Sequence, residues 1–170
     1  YTFAPNTDIE KKLIERQCDI GLMTQLSNQA NIICEEIASE PLVLVTSAAI
    51  KQIDWSTLMS LGFISHPDAR YHAQLLLSRN FSEFEQVEQF THHGFSNHIS
   101  LICQPISLGL GFTVLPLYAA KAFQSQSLIE IHHLERPVYE ALYFCVNNKT
   151  ALSERVKFIK NEIKKVCDVH

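Results

Sequence analysis

The sequence predicts a mixed α/β fold. Apolar runs of strand length, such as Pro41–Val45 and Phe112–Leu117, alternate with segments in which apolar residues recur at helical spacing. Of the 170 residues, 46% are hydrophobic and 19% charged, compared with about 25% charged in an average soluble domain. That apolar content is enough for a packed core and excludes intrinsic disorder. Apolar strands separated by helices are typical of a mostly parallel sheet covered on both faces.

The first third of the chain predicts one helix among several strands. Asn6 or Thr7 can cap that helix, because a short polar side chain accepts hydrogen bonds from the free N–H groups of a first turn. Ile9, Leu13 and Ile14 give it an apolar face. The predicted elements are a strand at Tyr1–Ala4, the helix from Asn6 or Thr7 to about Gln17, and strands at Asp19–Thr24, Ile32–Ala38 and Pro41–Thr46.

The remainder of the chain repeats this alternation. Pro105 lies inside one helical pattern and should kink that helix or end it early. Gly109 and Gly111 then suit a helix C-cap and a tight turn into a strand. The predicted helices are Trp55–Leu61, Ala69–Ser78, Ser96–Leu108, Tyr118–Phe123 and Leu152–Val166, the last with Val156, Ile159, Ile163 and Val166 as its apolar face; the predicted strands are Gly62–Ser65, Val87–His92, Phe112–Leu115, Leu128–Ile131 and Val138–Val146.

Charge and composition exclude several classes of function. The formal net charge is −4, so the chain lacks the basic surface that grips nucleic-acid phosphates. No apolar run approaches the roughly 20 residues that span a bilayer. The N-terminal segment shows no signal peptide. The first residue is not Met. The chain is therefore interpreted as a fragment of a longer protein.

The five cysteines predict free thiols. Cys18, Cys34, Cys103, Cys145 and Cys167 are odd in number and far apart, and they show no CxxC or zinc-type spacing. A disulfide framework requires an oxidising compartment. Buried thiols in a reducing cytosol are the interpretation that this pattern favours.

Four segments, in this order, resemble the effector-binding domain of LysR-type transcriptional regulators. They are the helix-turn-Asp-strand segment Ile14–Leu22, the crossover strand Glu40–Val45, the Gly-x-Gly-apolar-Leu-Pro segment Ser107–Pro116, and the closing strand at Pro137–Tyr139 followed by the helix Ser153–Ile163. The third segment is the most specific, and together the four cover nearly the whole chain.

This resemblance implies a two-lobed fold of the periplasmic-binding-protein type (type 2). Lobe I is expected at residues 1–45 and 132–170, and lobe II at residues 46–131. The fold's first strand and helix have no counterpart here, because Tyr1–Ala4 matches the family's second strand.

The resemblance also implies a function, namely ligand sensing and dimerisation without catalysis. A small-molecule effector would bind between the lobes, and no cofactor or metal would be required. The family pairs these domains as homodimers, assembled into tetramers in the full-length protein, and binds DNA only through an N-terminal winged helix-turn-helix. Two elements of this chain match those that form the family's dimer contact, namely Tyr1–Ala4 and Ala69–Ser78. The apolar run Leu75–Leu77 is compatible with such an interface. The resemblance further implies a cytoplasmic protein with no membrane contact.

The candidate ligand contacts lie where strands end and helices begin. In an open α/β sheet, ligands bind at the carboxyl ends of the strands. Each of these polar residues suits a helix cap as well as a ligand contact. The candidates are Asn6, Thr24, Ser65, His66, Phe95, Ser96 and Asn97, and their neutral character favours a small polar or weakly anionic metabolite.

Two other classes of function compete with the regulator. A periplasmic-type solute-binding receptor shares the implied fold, but five free cysteines argue against an oxidising periplasm. An enzyme would need a nucleophile or a carboxylate pair, and no Gly-x-Ser-x-Gly elbow is present. The histidines His92, His93 and His98 cluster at a strand–helix junction, but surface histidines explain them better than metal ligands do.

Overall fold

A computed structural model describes residues 4–149 and 153–168 of the chain. The helices are α1 (Asn6–Ile14), α2 (Trp55–Leu61), α3 (Ala69–Asn80), α4 (Cys103–Ser107), α5 (Leu117–Lys121) and α6 (Glu154–Asp168). The strands are β1 (Gly21–Met23), β2 (Ile32–Ser47), β3 (Phe63–Ser65), β4 (His92–Phe95), β5 (Thr113–Pro116), β6 (Ile129–His132) and β7 (Tyr139–Asn147). Of the strand predicted at Tyr1–Ala4, residues 1–3 lie outside the described part.

The chain divides into two compact units. The first unit comprises Tyr1–Glu40 and Glu140–His170, and the second comprises Pro41–Tyr139. The chain passes from one unit to the other inside β2 and returns inside β7. These bounds differ from the predicted lobe limits at residues 45 and 131, which remain a prediction for the family's lobes.

Most of the strand pairing is antiparallel, so the predicted mostly parallel sheet is wrong. β1 pairs with β7, and β2 pairs with both β5 and β6, in each case antiparallel. β3 and β4 form the one parallel ladder among these pairs. The helix α3 connects β3 to β4, and such a crossover returns the chain in the same direction.

The second unit buries both faces of its strands. Leu42 and Leu44 of β2 pack with α2 and α3, whereas Val43 and Val45 pack with α4 and α5. Alternate residues of a strand point to opposite faces, so this near-continuous apolar run fills two cores at once. Trp55, the only tryptophan, packs there with Phe90 at a ring-centroid distance of 5.2 Å.

The first unit follows the same layering with fewer strands. α1 covers one face of the strands through Leu13, and α6 covers the other through Val156. The predicted apolar face of α6 is partly wrong. Val156 is buried and Ile163 packs beside it, but Val166 is 67% exposed and Ile159 36% exposed.

Two predicted elements between Val87 and Leu108 differ in the structure. Val87–Gln89 forms a 3-10 turn, and the strand begins only at His92. The helix predicted over Ser96–Leu108 is reduced to a 3-10 turn followed by α4, which has Ile102 and not Ser96 or Asn97 at its N-cap. The Ser96 hydroxyl hydrogen-bonds the backbone of His98, within the turn that precedes these helical segments.

Pro105 and Gly109 act largely as their sequence positions predict. Pro105 sits in the first turn of the five-residue α4, where its missing N–H is not needed. Gly109 follows the helix with φ +78°, and its N–H donates to Ile106 O. A residue in this left-handed conformation at the helix end is the usual role of glycine.

The prediction that all five cysteines are free is wrong. Cys34 of β2 and Cys145 of β7 form a disulfide, with Cα atoms 4.2 Å apart. Cys18 and Cys103 are thiols. The two cysteines lie 111 residues apart and are brought together only because their strands are neighbours. The sequence does not show that adjacency.

Candidate functional site

The first group of candidate residues joins the start of α1 to the end of β1. Asn6 is the first residue of α1, and Pro5 occupies the N-cap position without a side-chain hydrogen bond. The predicted capping by Asn6 or Thr7 is therefore wrong. The Asn6 side chain turns to Thr24 instead: Oδ1 accepts from Thr24 N at 3.3 Å, and Nδ2 donates to Thr24 Oγ1 at 3.2 Å.

The Asn6–Thr24 contact leaves one hydrogen-bond donor available to a ligand. A hydroxyl group has one hydrogen to donate and two lone pairs. The Thr24 hydroxyl receives a hydrogen from Asn6, so its own hydrogen can be donated to an acceptor. Both side chains are half-buried, and their mutual hydrogen bonds restrict the directions in which they point. We name Asn6 and Thr24 the first-unit pair.

The second group lies at the carboxyl ends of β3 and β4. Because these strands run parallel, Ser65 and Phe95 stand opposite each other at the same edge. Ser96 N donates to Ser65 O at 2.9 Å, and this hydrogen bond links the ends of the two strands. Phe95 is 67% exposed and presents an apolar surface beside the exposed Asn97. We name Ser65, Phe95, Ser96 and Asn97 the second-unit corner.

Ser96 is already engaged within its own turn. Its Oγ donates to His98 O at 2.9 Å and accepts from His98 N at 3.2 Å. A serine that bonds the backbone two residues ahead stabilises a turn. In this group, Ser65 and Asn97 therefore carry the side chains better suited to reach a ligand.

His66 has a supporting position. Its ring is 4% exposed, and Nε2 lies 2.9 Å from Val114 O. A carbonyl oxygen only accepts, so Nε2 carries the hydrogen and donates it to β5. Its ring also packs against that of His72, with centroids 5.3 Å apart. His66 thus joins the end of β3 to the adjacent strand.

A charged cluster in the first unit was not found from the sequence. Glu35 of β2 accepts hydrogen bonds from the ammonium groups of Lys160 and Lys164 of α6. The hydrogen bond from Lys160, followed by that from Lys164, holds the pKa of Glu35 below its ordinary value. The cluster borders a hollow of about 270 Å³, which is lined by Ile33, Glu35, Phe144, Val146, Asn147, Asn148 and Lys160. No sequence signal links residues that are over 100 positions apart.

Another polar pair lies in the second unit. Thr46 Oγ1 and His132 Nε2 are 2.8 Å apart across β2 and β6, with Thr46 fully buried. Burial lowers the pKa of His132, although Glu130 opposes this shift. The Thr46 hydroxyl donates its one hydrogen to Ser47 O at 3.1 Å, so a neutral His132 that carries its hydrogen on Nε2 donates to Thr46 Oγ1. This contact fixes the two strands against each other.

Within residues 4–149 and 153–168, no three His, Cys, Asp or Glu side chains converge as a metal site would require. Within these two ranges, none of the helices combines the length and the apolar content that a membrane span requires. Burial raises the pKa of Cys103 to about 11, so this thiol stays protonated near neutral pH and is a poor nucleophile.

Comparisons with known proteins agree with this architecture. The profile of the LysR substrate binding domain matches residues 2–168 of the chain. No curated protein sequence matches the chain.

Three solved structures illustrate the likeness. The effector-binding domain of QuiR in complex with shikimate has 15% identity and a TM-score of 0.69, over 98% of this chain and 80% of QuiR's. The Synechocystis CcmR regulatory domain in complex with 2-PG has 15% identity and a TM-score of 0.73, over 96% and 80%. HinK from Pseudomonas aeruginosa, a LysR family transcriptional regulator, has 12% identity and a TM-score of 0.73, over 96% of this chain and 57% of HinK's. At these identities, the likeness shows a shared mixed α/β fold of the periplasmic-binding-protein type.

Proposed function

Because the chain belongs to the family of LysR substrate-binding domains, we propose that it is the ligand-sensing domain of a LysR-type transcriptional regulator. The match over residues 2–168 carries this proposal. The family consists of regulator domains and not of enzymes, so the proposed action is reversible binding of a small molecule without catalysis. A transport receptor of similar fold is not favoured, because the match is to the regulator family.

The proposed effector contacts are the neutral polar groups described above. Thr24 donates its hydroxyl hydrogen, and Asn6 holds it in place. In the second unit, Ser65 and Asn97 offer hydrogen bonds, and Phe95 offers an apolar surface. His66 and Ser96 position this corner from behind, through Val114 and His98.

These groups define the chemistry of the proposed effector. Neutral hydrogen bonds contribute about 0.5–1.5 kcal/mol net each, whereas bonds to charged groups contribute about 1.5–3. Asn6, Thr24, Ser65, Ser96 and Asn97 carry no side-chain charge. The proposed effector is therefore a small polar or weakly anionic metabolite. Shikimate and 2-PG, the ligands of QuiR and CcmR, are small anionic molecules with which to begin.

Titration calorimetry with two alanine variants tests this assignment. Once a metabolite binds the unaltered chain, Thr24→Ala and Asn97→Ala should each weaken its affinity about tenfold, because each removes one hydrogen bond at the upper end of the range. Ser27→Ala is the matched control, since its hydroxyl bonds only the local backbone of Gln29. Unchanged affinity in both site variants would refute the assignment.

The remaining parts of the proposal concern the whole regulator. The chain spans 57% of HinK, so DNA binding through a separate N-terminal domain belongs to the proposed full-length protein. That protein acts in the cytoplasm as a tetramer, in which the ligand-sensing domains pair as homodimers. An upstream coding sequence for a basic helix-turn-helix supports this proposal, whereas a signal peptide there contradicts it.

A further inference from the structure

The Cys34–Cys145 disulfide lies in the first-unit part of β2 and β7, the two strands that connect the units. β2 and β7 are neighbours in the sheet, and the chain leaves and re-enters the first unit inside them. The disulfide joins the two strands on their first-unit side, with Cα atoms 4.2 Å apart. It therefore closes a loop that contains the whole second unit.

The two sulfur atoms differ in access. Cys145 is fully buried between Gly21, its partner on β1, and Cys34 on β2. Cys34 is half-buried. A small thiol or disulfide from solution therefore reaches Cys34 first, and Cys145 reacts only through Cys34.

The surrounding sheet allows both the open and the closed state. Main-chain contacts hold the strand neighbours together independently of sulfur chemistry, as Asn148 N donates to Asn31 O at 2.9 Å. Two thiols held as neighbours close readily, because little chain entropy is lost on forming the bond. The exposure of Cys34 gives a reductant the access that it needs to open the bond.

We propose that Cys34 and Cys145 form a reversible redox modification site that exchanges with low-molecular-weight disulfides and thiols of the glutathione class. The proposal rests on the proposed function in one respect: a cytoplasmic regulator is surrounded by thiols, and the rare cytosolic disulfides are mostly transient or redox-sensing.

The exchange balances in two steps. The Cys34 thiolate attacks one sulfur of the small disulfide, forming a mixed disulfide and releasing one small thiolate. The Cys145 thiolate then attacks Cys34 Sγ, breaking the mixed disulfide and releasing the second small thiolate. The protein loses two electrons and two protons, which the small disulfide gains as it becomes two thiols. Reduction follows the same steps in reverse.

A redox titration of the unaltered chain tests the proposal directly. The chain is equilibrated in glutathione buffers from the cytosolic to the secretory range of potential, quenched with acid and alkylated. Peptide mass spectrometry then reads the state of each cysteine. We expect the Cys34–Cys145 linkage to pass from mostly open to mostly closed within this range. A pair that stays closed or stays open throughout would refute the proposal, as would linkage of Cys34 to Cys18.

Single serine variants test the order of attack. In Cys145→Ser, oxidised glutathione should leave one glutathionyl group on Cys34, because the resolving thiol is absent. In Cys34→Ser, the buried Cys145 should gain none. Cys103→Ser is the matched control, and its Cys34–Cys145 titration should match that of the unaltered chain. Equal labelling of Cys34 and Cys145 would contradict the proposed order.

These assays measure the oxidation state of the cysteines and depend on neither effector binding nor DNA binding. Their failure therefore leaves the proposed regulator function in place, and a failure of effector binding leaves the redox titration interpretable.

Discussion

At the residue scale, Thr24 and Asn6 show how one contact can position a group and prepare it for a ligand. Two hydrogen bonds link their side chains and the Thr24 backbone. The sequence predicted that Asn6 lies at the start of a helix and Thr24 at the end of a strand, and the structure places Asn6 first in α1 and Thr24 directly after β1. It could not predict that Asn6 bonds Thr24 and not its own helix, because the partner lies 18 residues away. A short polar side chain such as that of Asn can cap a helix or form a long-range hydrogen bond, so the residue type does not distinguish the two.

Gly62 offers a sharp test of backbone geometry. Its φ is +72°, and an added Cβ would lie 2.8 Å from Thr91 O and 2.6 Å from the ring of His93. Gly109 has a similar φ of +78° but open space around it. Gly109→Ala should therefore lower the free energy of unfolding by about 1–2 kcal/mol through the left-handed conformation alone. Gly62→Ala should cost about 1–3 kcal/mol more, because of overpacking.

Urea unfolding followed by Trp55 fluorescence measures both glycine variants, since Trp55 lies in the same unit. Equal losses of unfolding free energy in Gly62→Ala and Gly109→Ala would show that the close approach of Thr91 and His93 has no energetic weight.

Glu35 predicts a pH dependence of stability. Lys160 and Lys164 lower its pKa in the folded state, so its contribution is fully present above the ordinary pKa of 4.5 and is lost as the pH falls through the lowered folded value. The carboxylate is 43% exposed, and exposed ion pairs contribute only about 0–1 kcal/mol. Glu35→Gln should thus lower the free energy of unfolding by no more than about 1 kcal/mol near neutral pH.

Urea unfolding followed by circular dichroism measures this effect. The difference between Glu35→Gln and the unaltered chain should vanish once the pH is below the lowered pKa. Glu36→Gln is the matched control, because Glu36 is the exposed neighbour on the same strand. A difference that grows as the pH falls would contradict the assigned ion pairs.

At the scale of elements, the run Leu75–Leu77 shows where sequence reasoning met its limit. Leu76 and Leu77 are fully buried in the second unit's own core, so Leu76 offers no contact to a second chain. The outward face of α3 consists of Arg70, Tyr71, Gln74, Ser78 and Arg79. Adjacent leucines identify a helix with a large apolar content, but they do not reveal how much of its surface its own unit covers.

The proposed dimer can be tested on this outward face. A two-fold axis uses each contact twice, so Gln74→Arg should place two unfavourable charges in an α3 contact and raise the dimer dissociation constant at least about tenfold. Gln52→Arg, an exposed position elsewhere in the same unit, is the matched control. Analytical ultracentrifugation at micromolar concentrations gives both constants. Equal dissociation constants for the two variants would remove α3 from the interface.

The elements themselves were largely predictable where periodicity was strong. The helices α2 and α3 lie where apolar spacing placed them, since each fills a core along much of its length. The two strands predicted at Ile32–Ala38 and Pro41–Thr46 are instead one continuous strand, β2. The short segment from Val87 to Ser107 differed, because its 3-10 turns and the five-residue α4 are too short to show a period. Strand direction was also mispredicted, because periodicity does not state which strands become neighbours.

At the scale of the whole molecule, the disulfide removes the evidence against an oxidising compartment. Free cysteines were the reason for excluding an oxidising compartment, and that reason no longer holds. The family match over residues 2–168 now carries the preference for a regulator. A sequence alone does not show which cysteines neighbouring strands bring together.

The disulfide also predicts a difference in stability. A cross-link that closes a loop of this length restricts the unfolded chain, typically by about 2–4 kcal/mol. Reduction should lower the free energy of unfolding by that amount, measured by urea unfolding with and without a thiol reductant. In Cys145→Ser the reductant should have no effect. An equal effect in both proteins would assign the stabilisation to another thiol.

The proposed function requires that this chain bind a small polar or weakly anionic metabolite as its effector. The most direct measurement is a thermal melting screen against such metabolites, starting with shikimate and 2-PG. A true effector at about 100 times its dissociation constant stabilises the folded state by about 2.7 kcal/mol, which raises the Tm of a domain of this size by roughly 5–10 °C. We predict a saturable rise of this size for one such metabolite, reduced in Thr24→Ala and Asn97→Ala at the same concentration. A metabolite that gives the full rise equally in both variants would contradict the proposed contacts.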